Sequence, residues 1–126
     1  MTRYVDGFVL PVPDEQFDAY REMATEAGKL WMKHGALAYF EGLGDDLDPD
    51  LGGVSIRTFP SVAEADEDES VVFSFIVYES REHRDEVNAN VMEDPAMGEI
   101  GADEEMPFDI ERMAQGGFRS IVSYEQ

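Results

Sequence analysis

The chain has 126 residues, with 29 Asp and Glu against nine Lys and Arg, for a formal net charge of -20 at neutral pH. One domain is expected at this length, and a 43% apolar fraction with eight Phe, five Tyr and one Trp supplies a core despite the acidity. The charge argues against nucleic acid or an anionic membrane surface as a partner, because phosphate recognition requires a basic face.

With no cysteine, the chain has no disulfide frame, no thiolate nucleophile and no Cys-based zinc or iron–sulfur site. Its first residues lack an apolar signal core, and no run approaches the roughly 20 apolar residues of a membrane span, so a cytoplasmic protein is expected. Self-repulsion among so many carboxylates opposes a compact state in dilute buffer. At about 1 M salt the Debye length falls to roughly 3 Å from about 10 Å at 0.1 M, and the repulsion is screened. Only two of the nine cations are lysines, Lys29 and Lys33. The composition therefore reads as a halophile's, suited to a salt-filled cytosol.

Tyr4 to Val12 alternates in part and ends in Pro11-Val12-Pro13, which predicts a strand. Asp14 is a candidate N-cap for a helix whose apolar stripe is Phe17, Tyr20, Ala24, Ala27 and Trp31. Lys33 and His34 fall in its last turn and Gly35 suits the left-handed residue that follows. Leu37 to Leu43 predicts a second strand. In the turn-rich stretch 45–70, Val54 to Phe59 reads as a short edge strand stopped by Pro60, and Asp66 to Glu69 as a solvated acidic loop. Val71 to Tyr78 is the clearest strand. Ser80 caps a second helix running to about Asp94, ahead of Pro95. Met97 to Ile110 reads as irregular with one helical turn. A last strand is expected over Met113 to Tyr124, where Gly116-Gly117 predicts a bulge or a close backbone approach.

This order, β-α-β-β-α-β with an elaborated middle connection, predicts an α+β fold with both helices on one face of a four-stranded antiparallel sheet. Val71, Phe73, Phe75 and Val77 point one way, Val72, Ile76 and Tyr78 the other, so both faces are apolar. Two helices cover one face. The other is expected to meet a second copy, which makes the protein its own partner in a homodimer.

Several blocks resemble a known family. They are Tyr4-Val5-Asp6-Gly7-Phe8 with Pro11-Val12-Pro13, Trp31 with His34-Gly35-Ala36-Leu37 and Tyr39-Phe40-Glu41, Val72 to Tyr78 with Ser80-Arg81, Arg84-Asp85, Val87-Asn88, Val91-Met92 and Asp94-Pro95, and Met106 to Asp109 with Arg112-Met113 and Gly116-Gly117-Phe118. In order, from about residue 3 to 122, they resemble the YbaA-like family, domain-of-unknown-function family 1428. The resemblance implies a ferredoxin-like dimeric α+β barrel over residues 1–126. It brings no established reaction, and the wider dimeric α+β barrel group spans cofactor-free oxygenases, haem-degrading enzymes, isomerases and non-enzymes. The acidic run 64–69 departs most from the family and fits salt adaptation.

Candidate chemistry is sparse. His34 and His83 lack metal-ligand spacing; His34 reads as a capping or packing residue at the end of the first helix and His83 as a solvated residue in the first turn of the second. Asp46, Asp48 and Asp50 begin like a calcium loop, but Leu51 and Arg57 stand where that loop needs Gly and Glu, so no metal and no cofactor is expected. Arg81, Asp85, Asn88 and Met92 share one helix face, either a salt-bridged surface or the edge of a pocket shared with Asp109 or Arg112. Tyr39 and Glu41 share a strand face near Tyr78 and Trp31, and a carboxylate among aromatics can act as acid or base. The candidate ligand cleft is therefore Tyr39, Glu41, Tyr78, Arg81, Asn88 and Arg112. Two functions fit: a small-molecule binding module, or a cofactor-independent oxygenase or isomerase acting on a small aromatic or carbonyl compound. A third is a purely structural dimer with self-filled clefts.

The charge yields a measurement. The melting temperature should rise steadily as KCl goes from tens of millimolar to about 2 M, as screening of the acidic surface requires; a flat profile would sink the halophile reading.

Overall fold

The computed structural model describes residues 2–100 and 106–126. Four strands, β1 (Tyr4–Pro13), β2 (Ala38–Leu43), β3 (Glu69–Tyr78) and β4 (Ala114–Arg119), alternate with α1 (Phe17–Lys33), the one-turn α2 (Phe59–Ala63) and α3 (Arg81–Glu93). The strands form one antiparallel sheet in the order β2-β3-β1-β4, so the ten-residue β1 and β3 are central and pair along their full length from Tyr4↔Tyr78 to Pro13↔Glu69.

Local chemistry sets the boundaries. The predicted cap Ser80 accepts from the His83 amide at 3.0 Å and starts α3. Helix α1 ends in a Schellman motif: the Ala36 amide donates to the Trp31 carbonyl and the Gly35 amide to that of Met32, with Gly35 at φ +109°. Asp14 does not cap α1. It opens a short 3-10 turn, Asp14–Gln16, and its carboxylate accepts from the Ser70 hydroxyl.

Two expectations need correction. Residues 54–58 form no strand. Thr58 instead caps α2 through the Ser61 amide, with Pro60 in the first turn, where its missing N–H costs nothing; the proline read as a strand stop is a helix start. The last strand ends at Arg119 and not at Tyr124, because its partner β1 begins at Tyr4 opposite Arg119. Gly116 and Gly117 sit in unbroken register opposite Gly7 and Asp6. No bulge forms there, and Gly117 serves the other predicted role: a side chain at that position would overlap the Tyr4 hydroxyl.

Alternation divides the sheet. Tyr4, Asp6, Leu10 and Val12 of β1 and Val72, Ser74, Ile76 and Tyr78 of β3 are buried beneath the helices. Two core clusters result. One joins Tyr4, Leu30, Ala36, Ile76, Tyr78, Val87 and Val91; the other joins Leu10, Val12, Tyr20, Ala24 and Val72. Each Leu, Ile or Val among them contributes about 1.5–3 kcal/mol relative to exposure. The opposite face carries Phe40, Phe73 and Phe118, all substantially exposed. There Phe40 stacks on Phe75 at 5.1 Å, Phe73 lies 6.1 Å from Phe75, and Phe59 of α2 meets Phe73 edge-on at 6.0 Å. Helix α2 thus touches only one end of a face that is otherwise open among the described residues.

Candidate functional site: the cleft between helices and sheet

Between the two core clusters lies a cleft of about 440 Å3, walled by α1, α3 and the helix side of the sheet. Its lining is largely apolar, with Phe8, Trp31, Phe108 and five methionines, among them Met23, Met92 and Met113. A few polar groups converge on it: Asp6, Glu41, Ser74, Asn88 and Gln115.

Glu41 is gripped from two elements. Tyr39 lies two residues earlier on β2 and therefore on the same face; its hydroxyl donates to Glu41 Oε2 at 2.7 Å. From α1, the Tyr20 hydroxyl donates to Glu41 Oε1, also at 2.7 Å. The helix can approach this closely because residue 28 is glycine, where a Cβ would stand 2.9 Å from Tyr39 Cδ1. Burial, reinforced by the Glu41 carboxylate, holds both phenols far above the usual tyrosine range. The same trio forms the wall between the cleft and a more open groove of about 630 Å3 along α1 and β2, whose lining includes Arg21 and Lys29.

The second polar group sits at the other end. The Trp31 indole N–H donates to Asn88 Oδ1 at 3.0 Å, and the Tyr78 hydroxyl reaches the same oxygen at 3.4 Å. Nearby, Asp6 is 4% exposed and accepts from Arg84 Nη1 at 2.6 Å, while Arg84 Nε donates to Asp85. Burial pushes the Asp6 carboxyl above the ordinary range even though the Arg84 guanidinium pulls it down. Burial and the Asp6 charge likewise raise the Tyr78 phenol.

Of the residues expected to form the site, Tyr39, Glu41 and Asn88 line the cleft, and Tyr78, fully buried, backs it through Asn88. Arg81 and Arg112 are not part of its lining. Arg81 is exposed at the start of α3, and Arg112 is held away by a bidentate pair with Glu69 at 2.6 and 2.8 Å and by the Glu64 carbonyl. Of the helix-face series, Asn88 lines the cleft, Met92 borders it while largely exposed, and Asp85 pairs with Arg84. The sequence reading missed Asp6, Tyr20 and Ser74. A carboxylate in the middle of an apolar strand was the available signal for Asp6; Tyr20 was hidden inside an apolar helix stripe.

His34 closes α1 against Asp94, 2.8 Å away, and His83 Nδ1 accepts from the Glu79 amide, so each histidine secures a helix end. No group of three or more His, Cys, Asp or Glu side chains able to hold a metal occurs among the described residues. Nor is any helix among them long and apolar enough to cross a membrane.

The fold and cleft define a small α+β protein with an open antiparallel sheet and a partly open cleft between helices and sheet. Residues 3–110 match the family described as "Protein of unknown function (DUF1428)", and the chain belongs to that family. It is 48% identical over 120 residues to a protein described as "Uncharacterized protein YbaA" from Escherichia coli strain K12, covering 95% of this chain and 97% of that one; the protein of that description from Shigella flexneri matches equally. Among solved structures, a de novo designed protein, Foldit4, aligns over 98% of this chain and 100% of its own at 7% identity and a TM-score of 0.43, a likeness that carries no argument.

The phenols supply a test of the site. In a spectrophotometric alkaline titration Tyr20, Tyr39 and Tyr78 should stay protonated well past pH 10 in the folded protein, and titrate near 10 once it is unfolded. Their pKa values are raised by folding, so the stability linked to them is complete below pH 10 and is lost as pH rises further. Five tyrosines ionising together near pH 10 in the native protein would contradict the buried clamp.

Proposed function

We propose that the protein is a homodimeric small-molecule binding module of the ferredoxin-like dimeric α+β barrel type, working in a salt-filled cytosol. The observation that carries the binding reading is the cleft: about 440 Å3, within the roughly 300–1,000 Å3 range of small-molecule sites, largely apolar with a few convergent polar groups. Glu41 and Asn88 are positioned to fix a ligand's orientation, each held by tyrosine or tryptophan donors that fix its own rotamer.

The strand order β2-β3-β1-β4 supports the ferredoxin-like part of the reading. The exposed Phe40, Phe73 and Phe118 support a second copy against the open face, since contiguous apolar patches of that kind mark interaction surfaces. Covering that face from outside leaves each cleft intact between its own helices and sheet.

One observation favours an enzyme, a cofactor-independent oxygenase or isomerase acting on a small aromatic or carbonyl compound: a carboxylate in hydrogen-bond contact with two phenols is a group that can carry a proton. Against it, both Glu41 oxygens already accept a phenol hydrogen bond, an engagement that suits a group that orients a ligand more than one that abstracts a proton.

A thermal-shift screen against a metabolite panel in about 2 M KCl, a salt level that screens the surface charge, tests the binding reading. A ligand at 100 times its dissociation constant adds about 2.7 kcal/mol. The shift should disappear in Ala27→Phe, which fills the cleft from α1, and shrink in Glu41→Gln. A blank panel, or a shift unaffected by Ala27→Phe, counts against the cleft; turnover abolished by Glu41→Gln establishes the enzyme reading instead. Separately, sedimentation should give a dimer for the parent chain and a monomer for Phe118→Glu. A monomeric parent protein at high salt removes the barrel assembly.

A further inference from the structure

We propose that the cleft selects an organic monocation: an amine carried on a compact aromatic or branched apolar body, with its ammonium group against Glu41. The inference rests on the cleft being a ligand site and goes further by assigning the ligand's charge.

The argument starts from which carboxylates already have a counter-charge. Asp6, the other acid on the cleft wall, is paired with Arg84 at 2.6 Å and presents no net charge to a ligand. Glu41 is different. Its partners are two neutral phenols, and none of the ion pairs among the described residues involves it. Two O–H donors occupy two of roughly four acceptor positions on a carboxylate, so each oxygen can accept another hydrogen bond. Buried charges are ordinarily paired; here the half-buried carboxylate lines the cleft with no cation beside it among the described residues.

The rest of the lining agrees. Among the described residues no Lys, Arg or His lines the cleft; Arg84 is taken up by Asp6, and Arg21 and Lys29 line the groove that Glu41 borders on the other side of the Tyr20–Glu41–Tyr39 wall. A carboxylate or phosphate ligand would meet repulsion with no cation to offset it. The walls offer the aromatic rings of Phe8, Trp31 and Phe108, which attract cations through their π faces, and methionines, which adapt to irregular apolar shapes. An ammonium centre would meet a carboxylate and aromatic rings in one cleft.

The test uses three probes of matched size on the full chain in about 2 M KCl: 2-phenylethylamine, 2-phenylethanol and 3-phenylpropanoate. Isothermal titration should show the amine binding at least about tenfold tighter than the alcohol, and no binding of the propanoate, as one desolvated charge pair implies. In Glu41→Gln the amine should fall to the level of the alcohol while the alcohol is unchanged. If Glu41→Gln does not fold, the wild-type amine-to-alcohol ratio is compared between 0.1 and 2 M KCl. A pair formed inside the cleft keeps its preference, whereas attraction to the acidic surface is screened away. The alcohol or propanoate binding as tightly as the amine overturns the cation assignment and leaves the binding site standing. An amine preference that survives in Glu41→Gln overturns it too, by placing the preference on the surface. Failure of all three probes overturns it while the panel screen and Ala27→Phe decide the binding site independently.

Discussion

The central pair of strands is apolar on both sides, and the chain has two long helices to cover one of them. Most of the architecture follows from this. Ten residues of β1 pair with ten of β3 without interruption, so inward and outward residues alternate strictly for the length of the sheet. Burial of Leu10, Val12, Val72, Ile76 and Tyr78 fixes α1 and α3 to one face. The other face then carries Phe40, Phe73, Phe75 and Phe118, with only the single turn of α2 against one end. A one-residue slip in register would exchange the two sets. The core and the exposed aromatic face are therefore two consequences of one pairing.

The helices do not cover their own face evenly. Leu30, Val87 and Val91 pack at one end with Tyr4 and Tyr78, and Tyr20 and Ala24 at the other with Leu10 and Val72. The interval between them is spanned by hydrogen bonds as well as by packing. Tyr20 ties α1 to Glu41 on the edge strand, and Trp31 ties α1 to Asn88 on α3. These bonds hold the walls apart at fixed distances, which is how a cleft persists in a protein whose interior would otherwise close on itself. Gly28 is the local device that permits it: a side chain there would crowd the Tyr39 ring, and either that ring or α1 would have to shift.

What was legible in the sequence was what local chemistry determines. Alternation located β1, β2 and β3, Ser80 marked the start of α3, and Gly35 the end of α1, because each depends on neighbours within a few residues. Tyr39 and Glu41 were legible as a pair for the same reason, being two apart on one strand. The errors lie where distance along the chain decides. Whether Val54 to Phe59 could be a strand depended on a free partner edge, and Pro60 fitted a helix start equally well. Arg112 was placed at the pocket because nothing in the sequence indicates that Glu69, 43 residues away, would hold it. Tyr20 looked like core because a hydroxyl donating to another element leaves no trace in helical periodicity.

The scarcity of cations gives the charge pattern meaning inside the fold. Nine Lys and Arg cannot neutralise 29 carboxylates, and three of the nine stand against buried ones. Arg84, Arg112 and Lys33 pair with Asp6, Glu69 and Asp94, whose side chains are 5%, 6% and 8% exposed. The solvated carboxylates of the surface need no such partner, because water and salt screen them. Glu41, half-buried in the wall between the cleft and the groove, belongs to none of these pairs. It has two phenols instead, which hold its orientation and leave its charge in place. A fold that sets cations against Asp6, Glu69 and Asp94 and gives Glu41 two neutral phenols is one in which a ligand can bring the positive charge.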